Sequence, residues 1–251
     1  MIVIAPGSHP EADTFWKEKL GSRPNGARTL GSAIAKNLAD VFEPYYDMLV
    51  CYASDIKFDI PKGVKRIAVI WHQNYPWTEG FKVWQRVNVK LKNYDVDYFV
   101  NEQTLMNLID DVYKQVYFMP RFIDTTEYPK FNCKKTIPTL WFGNAWGEFQ
   151  NEFKNYKEMV AVPLWISHNK MAVGDKEPRE LNRKTTLQTL AKTKVVWAIG
   201  ISQLEAQFYG CEVISYRGPV IPFYDQDNIR EYMGSFLQKE IRPLGVPRLR
   251  K

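Results

Sequence analysis

Three histidines, a few arginines and lysines beside glycine, and one glutamate at a helix start are the side chains of this 251-residue chain best suited to chemistry. His72 ends the apolar run RIAVIWH and is followed by Gln73, Asn74 and Tyr75. Only histidine titrates near neutral pH with an unperturbed pKa, so His72 is the candidate for moving a proton. The plain alternative is a loop histidine satisfied by hydrogen bonds. His9 in the first loop and His168 in WISHNK are weaker candidates. The run GSRPNGAR (21–28) sets glycines with Arg23 and Arg28 ahead of a helical stretch, where backbone N–H groups could cradle phosphate. It matches neither a Walker motif nor GxGxxG, and otherwise reads as a surface loop. Arg121, Lys134 and Lys135 are linker cations, and Trp77, Trp84 and Trp146 near loops or helix starts could stack on sugars or bases. Asp124 and Glu127 have a spacing common in loops and do not form a hydrolase pair. No Ser-His-Asp order, HExxH, DxD or P-loop occurs, and Cys51, Cys133 and Cys211 are too far apart for a zinc site or a disulfide framework.

The scaffold must be a packed one. The chain is 45% hydrophobic, 14% aromatic and 25% charged, with a mean hydropathy of −0.38, which excludes collagen, coiled coil and disorder. No apolar run reaches the ~18 residues of a membrane span. The opening MIVIAPG lacks the basic flank of a signal peptide and reads as a first strand. The cysteine usage fits a reducing, cytoplasmic compartment. The net charge of +6 lies entirely in residues 131–251, and Arg242, Arg248, Arg250 and Lys251 supply four positive charges in the last ten positions. That tail is either a solubilising end or a contact for phosphates on nucleic acid or a membrane surface.

Apolar runs alternate with helical patterns along the whole chain. Strands are expected at 1–5, 46–53, 66–72, 96–100, 115–119, 137–142, 158–165, 194–199 and 211–216. Helices are expected at 29–42, 80–92, 102–113, 145–155, 178–191, 202–209 and 227–240, the last capped by Asp227. Such alternation implies βαβ units, and the continuous apolar strands suit a mostly parallel sheet covered on both faces. The polar stretch 120–136 divides the chain into two α/β halves. The loops at 7–28 and 72–80 follow strands, at the edge where such sheets bind ligands.

Three segments together resemble a glycosyltransferase of the two-Rossmann GT-B fold, nearest its retaining, sugar-nucleotide-dependent group. FMPRFID (118–124) is similar to that family's crossing into the donor domain. LWFGNAWGE (140–148) is similar to its "VGR" opening, and AKTKVVWAIGISQLEAQFYGCEVISYRG (191–218) to its strand, loop, "LEA" helix and Gly-Cys-x-Val-Ile strand. Asn144 and Glu148 stand where the family carries cations for the donor diphosphate, and the "EGFG" segment is absent. Lys134, Lys135 and Arg121 are therefore candidates to replace those cations.

The resemblance implies two Rossmann-like domains facing each other across a cleft: residues 1–125 for the acceptor, 126–226 for the donor, and 227–251 as a helix returning toward the first domain plus a basic tail. It implies metal-independent transfer of a sugar from a nucleotide-sugar, of which a UDP-sugar is the leading candidate, with no further cofactor. Glu205 would accept hydrogen bonds from the ribose; a helix-start acid that merely complements the dipole is the plainer reading. Ser202, Gln203, Gly143, Asn144, His168, Lys134 and Arg121 complete the expected donor site. Gly7, His9, Arg28, Tyr75 and Trp77 form the expected acceptor site, and His72 is the expected catalytic residue. The acceptor would be a modified DNA base or a glycan or lipid-linked sugar at a membrane surface. The competing expectation is a non-catalytic nucleotide- or nucleic-acid-binding protein of the same fold.

Overall fold

The computed structural model describes residues 1–4, 27–51, 60–71, 89–101, 115–167, 170–174 and 179–246. The chain divides into two compact units, Met1–Pro120 with Gln226–Lys251, and Arg121–Asp225. Each holds one sheet. Among the described residues no helix is long and apolar enough to cross a membrane.

The first unit carries β1 (Ile2–Ile4), α1 (Ala27–Phe42), β2 (Met48–Cys51), β3 (Arg66–Trp71), β4 (Asp95–Val100) and β5 (Val116–Phe118). Its five strands are all parallel and lie in sequence order. Almost every residue of β2, β3 and β4 is buried, which explains why these strands read as unbroken apolar runs. One face packs Met48, Ile67, Val69, Val96 and Val100 together with Leu91. On the other, Phe99 takes edge-on contacts from Phe42, Tyr46 and Phe236. Phe236 belongs to the last helix, which we number α5 (Gln226–Glu240) and which thus packs with the first unit although it follows the second in sequence. Arg230 of α5 clips it to α1 through both carboxylate oxygens of Asp40, at 2.9 and 2.6 Å.

A polar anchor lies at the amino edge of this sheet. Asp97 is wholly buried and accepts a 2.8 Å hydrogen bond from the Tyr46 hydroxyl. The buried Arg66 guanidinium lies 3.7 Å from Asp97 and 3.6 Å from Asp95, over the Tyr46 ring, and donates to the Arg242 carbonyl beyond α5. Arg66 therefore ties the end of the chain to the first residues of two central strands.

The second unit carries β6 (Ile137–Phe142), α2 (Gln150–Met159), β7 (Leu164–Ser167), β8 (Lys170–Val173), β9 (Arg179–Glu180), α3 (Arg183–Ala191), β10 (Thr193–Ala198), α4 (Ile201–Phe208) and β11 (Glu212–Ser215). The sheet order is β11-β10-β6-β7-β8-β9, parallel from β11 to β7 and antiparallel beyond. One face packs Leu140, Phe142, Ile166, Val196 and Ala198 with Leu187, Leu190 and Leu204 of α3 and α4. The other packs Trp141, Trp165 and Ala172 with Phe153 and Tyr156 of α2. Helices thus cover both faces, as a Rossmann-like α/β sheet requires.

Several expected boundaries shift for local reasons. The expected strand 158–165 begins only at Leu164, because α2 runs on to Met159 and Pro163 has no N–H to give the ladder. The expected helix 178–191 begins at Arg183, where the Asn182 side chain accepts from the Thr185 N–H at 2.9 Å; Arg179–Glu180 is an edge strand instead. Asp227 lies in the first turn of α5 rather than at its cap. The expected helix 102–113 and most of 80–92 lie outside the described residues.

Arg66→Met removes the guanidinium from beside the wholly buried Asp97 carboxylate, and is expected to cost about 3–5 kcal/mol of unfolding free energy, read from the urea midpoint. Tyr46→Phe removes a single bond to that carboxylate and should cost about 1.5–3 kcal/mol.

Candidate functional site

In the second unit the chain leaves β6 toward β7 and leaves β10 toward β11, on opposite sides of the β6–β10 pair. Loops leaving two adjacent parallel strands in opposite directions open a crevice at their carboxyl ends, the ordinary ligand position of such sheets. The first unit has no such reversal among its described strands.

Both crevice strands end in glycine. Gly143 follows β6 with φ +156°, and a Cβ there would collide with the Tyr216 hydroxyl. Gly200 follows β10 with φ +59° and ψ −137°, and a Cβ there would meet the Arg121 guanidinium. Backbone in that quadrant is open to glycine and strained for other residues. Gly200 is also the N-cap of α4, with no side-chain capping bond and no acid in the first turn. The first N–H groups of that turn and the positive end of the helix dipole therefore face the crevice beside the buried Arg121, while the Gln203 N–H is already given to the Gly200 carbonyl at 3.1 Å. An anion placed there meets backbone donors and a cation together.

Other expected donor residues have different work. Glu205 is 4% exposed, and both of its carboxylate oxygens are held by Arg183, with Oε1 also accepting a 2.9 Å bond from the Tyr128 hydroxyl. Arg183 is further supported by the Tyr128 ring at 5.5 Å. Burial disfavours its charge, and the Glu205 carboxylate more than offsets this, leaving its pKa above the usual value. The carboxylate thus fastens α4 to α3 and to the segment after Asp124. Gln203 is fully committed: Nε2 donates to the Ala198 carbonyl and the Ser215 hydroxyl, and Oε1 accepts from the Ile221 N–H at 2.7 Å. It clamps β10 to β11, so its side-chain amide is occupied by the fold itself.

Lys134 and Lys135 precede β6, at the amino edge of the sheet, whereas the crevice lies at the carboxyl edge. Six residues of strand span roughly 20 Å, so neither cation serves it. Lys135 instead donates to the Tyr209 carbonyl at 2.7 Å and to Cys211 Sγ at 3.2 Å, capping the far end of α4. Position in the linker does not reveal this, because strand direction is invisible until the pairing is known. Ser202 is half-buried in the first turn of α4, and Asn144 lies at the crevice with Oδ1 accepting from the Trp146 N–H at 3.0 Å.

Arg28 falls in the first turn of α1. His72, His168, Gly7, His9, Tyr75 and Trp77 lie outside the described residues. Sequence reasoning does not single out Tyr216 or Arg183, and it reaches Ser167 and Gly200 only as members of the stretches 166–170 and 200–205 expected near the nucleotide. Gly200 was findable, since a lone glycine between a strand and a helix is the usual step to a helix-terminus anion site. Nothing in the sequence pairs Tyr216 with Gly143. Among the described residues no group of three or more His, Cys, Asp or Glu side chains is placed to hold a metal ion.

The chain matches no protein-family model, no curated protein and no solved structure.

Glu205→Ala is expected to lower folding stability by about 1–3 kcal/mol, because it leaves a half-buried guanidinium without its carboxylate and the buried Tyr128 hydroxyl without its acceptor; equilibrium denaturation reads this directly. Alkaline pH attacks the same cluster. Burial first, and then the Glu205 charge, raise the tyrosines here against the opposing pull of Arg183, with Tyr209 pushed up to about 12. An unfolded phenol ionises near ~10, so the folded state is fully stable below that pH. Stability should then fall as pH rises through about 12. Tyrosinate absorbance is expected to appear together with loss of tertiary circular dichroism.

Proposed function

We propose that this protein is a sugar-nucleotide-dependent glycosyltransferase whose second unit binds the donor diphosphate at the β6–β10 crevice. The observation that carries the reading is the convergence of Gly200, the uncapped start of α4 and the buried Arg121. In glycosyl transfer the bond from the anomeric carbon to the diphosphate breaks, and negative charge grows on the leaving oxygen. Fixed N–H donors and a guanidinium stabilise that charge without reorganising at the moment of reaction. Arg121 supplies the cation expected at Asn144 in the resemblance, from the chain segment that enters the unit.

The reading carries with it the paired-lobe GT-B arrangement, metal-independent retaining transfer and an acceptor held by the first unit. His72 remains its candidate proton carrier on sequence grounds alone. The acceptor stays within the two classes expected above, a DNA base or a surface glycan.

One observation favours a second reading. The Glu205 carboxylate is already bonded to Arg183 and Tyr128, so it is not available to a ribose as it stands. That suits a nucleotide-binding protein without turnover.

A thermal-shift panel of UDP-glucose, GDP-mannose and ADP-glucose with UDP, GDP and ADP tests the shared premise. A ligand at 100 times its Kd adds about 2.7 kcal/mol, or a melting shift of roughly 5–10 °C for a chain of this size. Gly200→Ala is expected to cost about 1–3 kcal/mol of stability and to abolish the shift. Release of nucleoside diphosphate from one nucleotide sugar supports the transferase; a shift without release supports the binding protein. No shift with any of the six overturns both.

A further inference from the structure

Beside the anion position lies a second polar feature without charge. Strands β6 and β7 pair with Trp141 opposite Trp165 and Phe142 opposite Ile166. Continuing that register sets Gly143 opposite Ser167, and Gly143 N–H donates to the Ile166 carbonyl at 3.0 Å. Side chains alternate between faces, so 143 and 167 lie on the face that Trp141 and Trp165 share. Gly143 has no side chain, and its place on that face is taken by the Tyr216 hydroxyl. The Tyr216 ring is fixed there by stacking on Trp141, centroids 4.0 Å apart at 16°, and by edge-on contact with Phe149 at 5.7 Å. Opposed side chains on adjacent strands have Cβ atoms about 5 Å apart. Tyr216 Oη and Ser167 Oγ therefore lie on one face at the carboxyl ends of β6 and β7, on neighbouring strands and not hydrogen-bonded to each other.

Ser167 is 2% exposed, and its Oγ is buried with no hydrogen-bond partner. A buried hydroxyl left unsatisfied is costly, and proteins rarely keep one without use. Two neutral hydroxyls, each both donor and acceptor, are poorly matched to phosphate, which takes N–H groups and cations. They are well matched to another hydroxyl, which also donates and accepts. Strands lie about 4.8 Å apart, so along the sheet this pair is offset one to two strand spacings, roughly 5–10 Å, from the Gly200 end of β10, on the face opposite the one that α4 covers. That is the reach of a hexose from the phosphate to which it is bonded.

We infer that Ser167 and Tyr216 form a subsite that holds a hydroxyl of the sugar carried by the nucleotide, and so contribute to the choice of sugar. The inference rests on the nucleotide-sugar reading above and deepens it. Calorimetric titration with UDP-glucose against UDP, and with whichever other pair shifts the melting curve, separates the two. Ser167→Ala and Tyr216→Phe each remove one oxygen, and Tyr216→Phe keeps the stacked ring, so either variant can carry the test if the other does not fold. The expected result is a three- to tenfold weaker affinity for the nucleotide sugar in each variant, with the nucleoside diphosphate bound as by the unaltered chain. Equal weakening of both ligands means a structural role and overturns the inference. Unchanged binding of both, with altered melting of the free protein, means that the hydroxyls hold an ordered water only and overturns it too. If the unaltered chain binds neither ligand, the functional reading itself fails and takes the subsite with it; if it binds the diphosphate and only the discrimination is missing, the subsite alone is lost.

Discussion

The parallel pairing of β6 with β10 is the constraint on which the second unit depends. Five residue pairs, from Thr193 with Ile137 to Ala198 with Phe142, align the two strands so that both end at the same level. Because β6 continues to one side and β10 to the other, the two connections that leave them diverge from the gap between their ends. The ladder thus sets the ends of β6 and β10, and the start of α4, side by side at the edge where such sheets bind ligands. A shift of one residue would exchange the two faces and send Trp141 and Trp197 to the side packed by Leu140 and Val196. Register and crevice are therefore fixed by the same packing.

Glycine completes the opening by letting other groups take the place of a side chain. At Gly200 the occupant is the Arg121 guanidinium, brought in by the segment that enters the unit; at Gly143 it is the Tyr216 hydroxyl, brought in by the segment that follows β11. Two stretches distant in sequence thus deliver a cation and a neutral hydroxyl to adjacent strand ends. The buried Glu205–Arg183 pair contributes differently. It holds α4 against α3 and so aims the uncapped start of α4. A buried ion pair is weak evidence for net stability, yet losing one partner is costly, which suits an element that must keep one orientation.

The first unit shows the same economy. Arg66 links β3, β4 and the carbonyl after α5, so the helix that follows the second unit in sequence is held to the sheet of the first. Phe236 reaches Phe99 and Tyr117 in that arrangement. The exposed ion pair of Arg230 with Asp40 adds little by itself, since water screens both groups. The fully buried Ile229, Met233 and Leu237 of α5, together with the aromatic contacts of Phe236, carry the docking.

Much of the architecture was legible because periodicity reports burial. The runs RIAVIW and VDYFV are apolar at nearly every position, and only a strand covered on both faces needs that. The "LEA" helix and the strand after Gly210 were likewise placed to within a residue or two, since Gly210 is a left-handed C-terminal stop at φ +66°. The site was legible in part. Gly143, Asn144, Ser202 and Arg121 stand at the crevice, while Gln203 and Lys135 are spent on holding strands and a helix end. Their types suited a ligand, but type does not reveal what a side chain touches.

The sequence by itself determined the alternation of strands and helices, the apolar faces and the points where glycine must bend the chain, because these depend on neighbours within a few residues. Only the tertiary structure decided which strand ends are adjacent, that Lys134 lies at the wrong edge, that Glu205 is claimed by Arg183, and that Tyr216 fills the space beside Gly143. Those outcomes depend on pairing between segments up to 77 residues apart, as Tyr128 and Glu205 are. No local pattern encodes such distances, since they are set by which packing of the whole unit buries the most apolar surface while leaving the fewest polar groups unsatisfied.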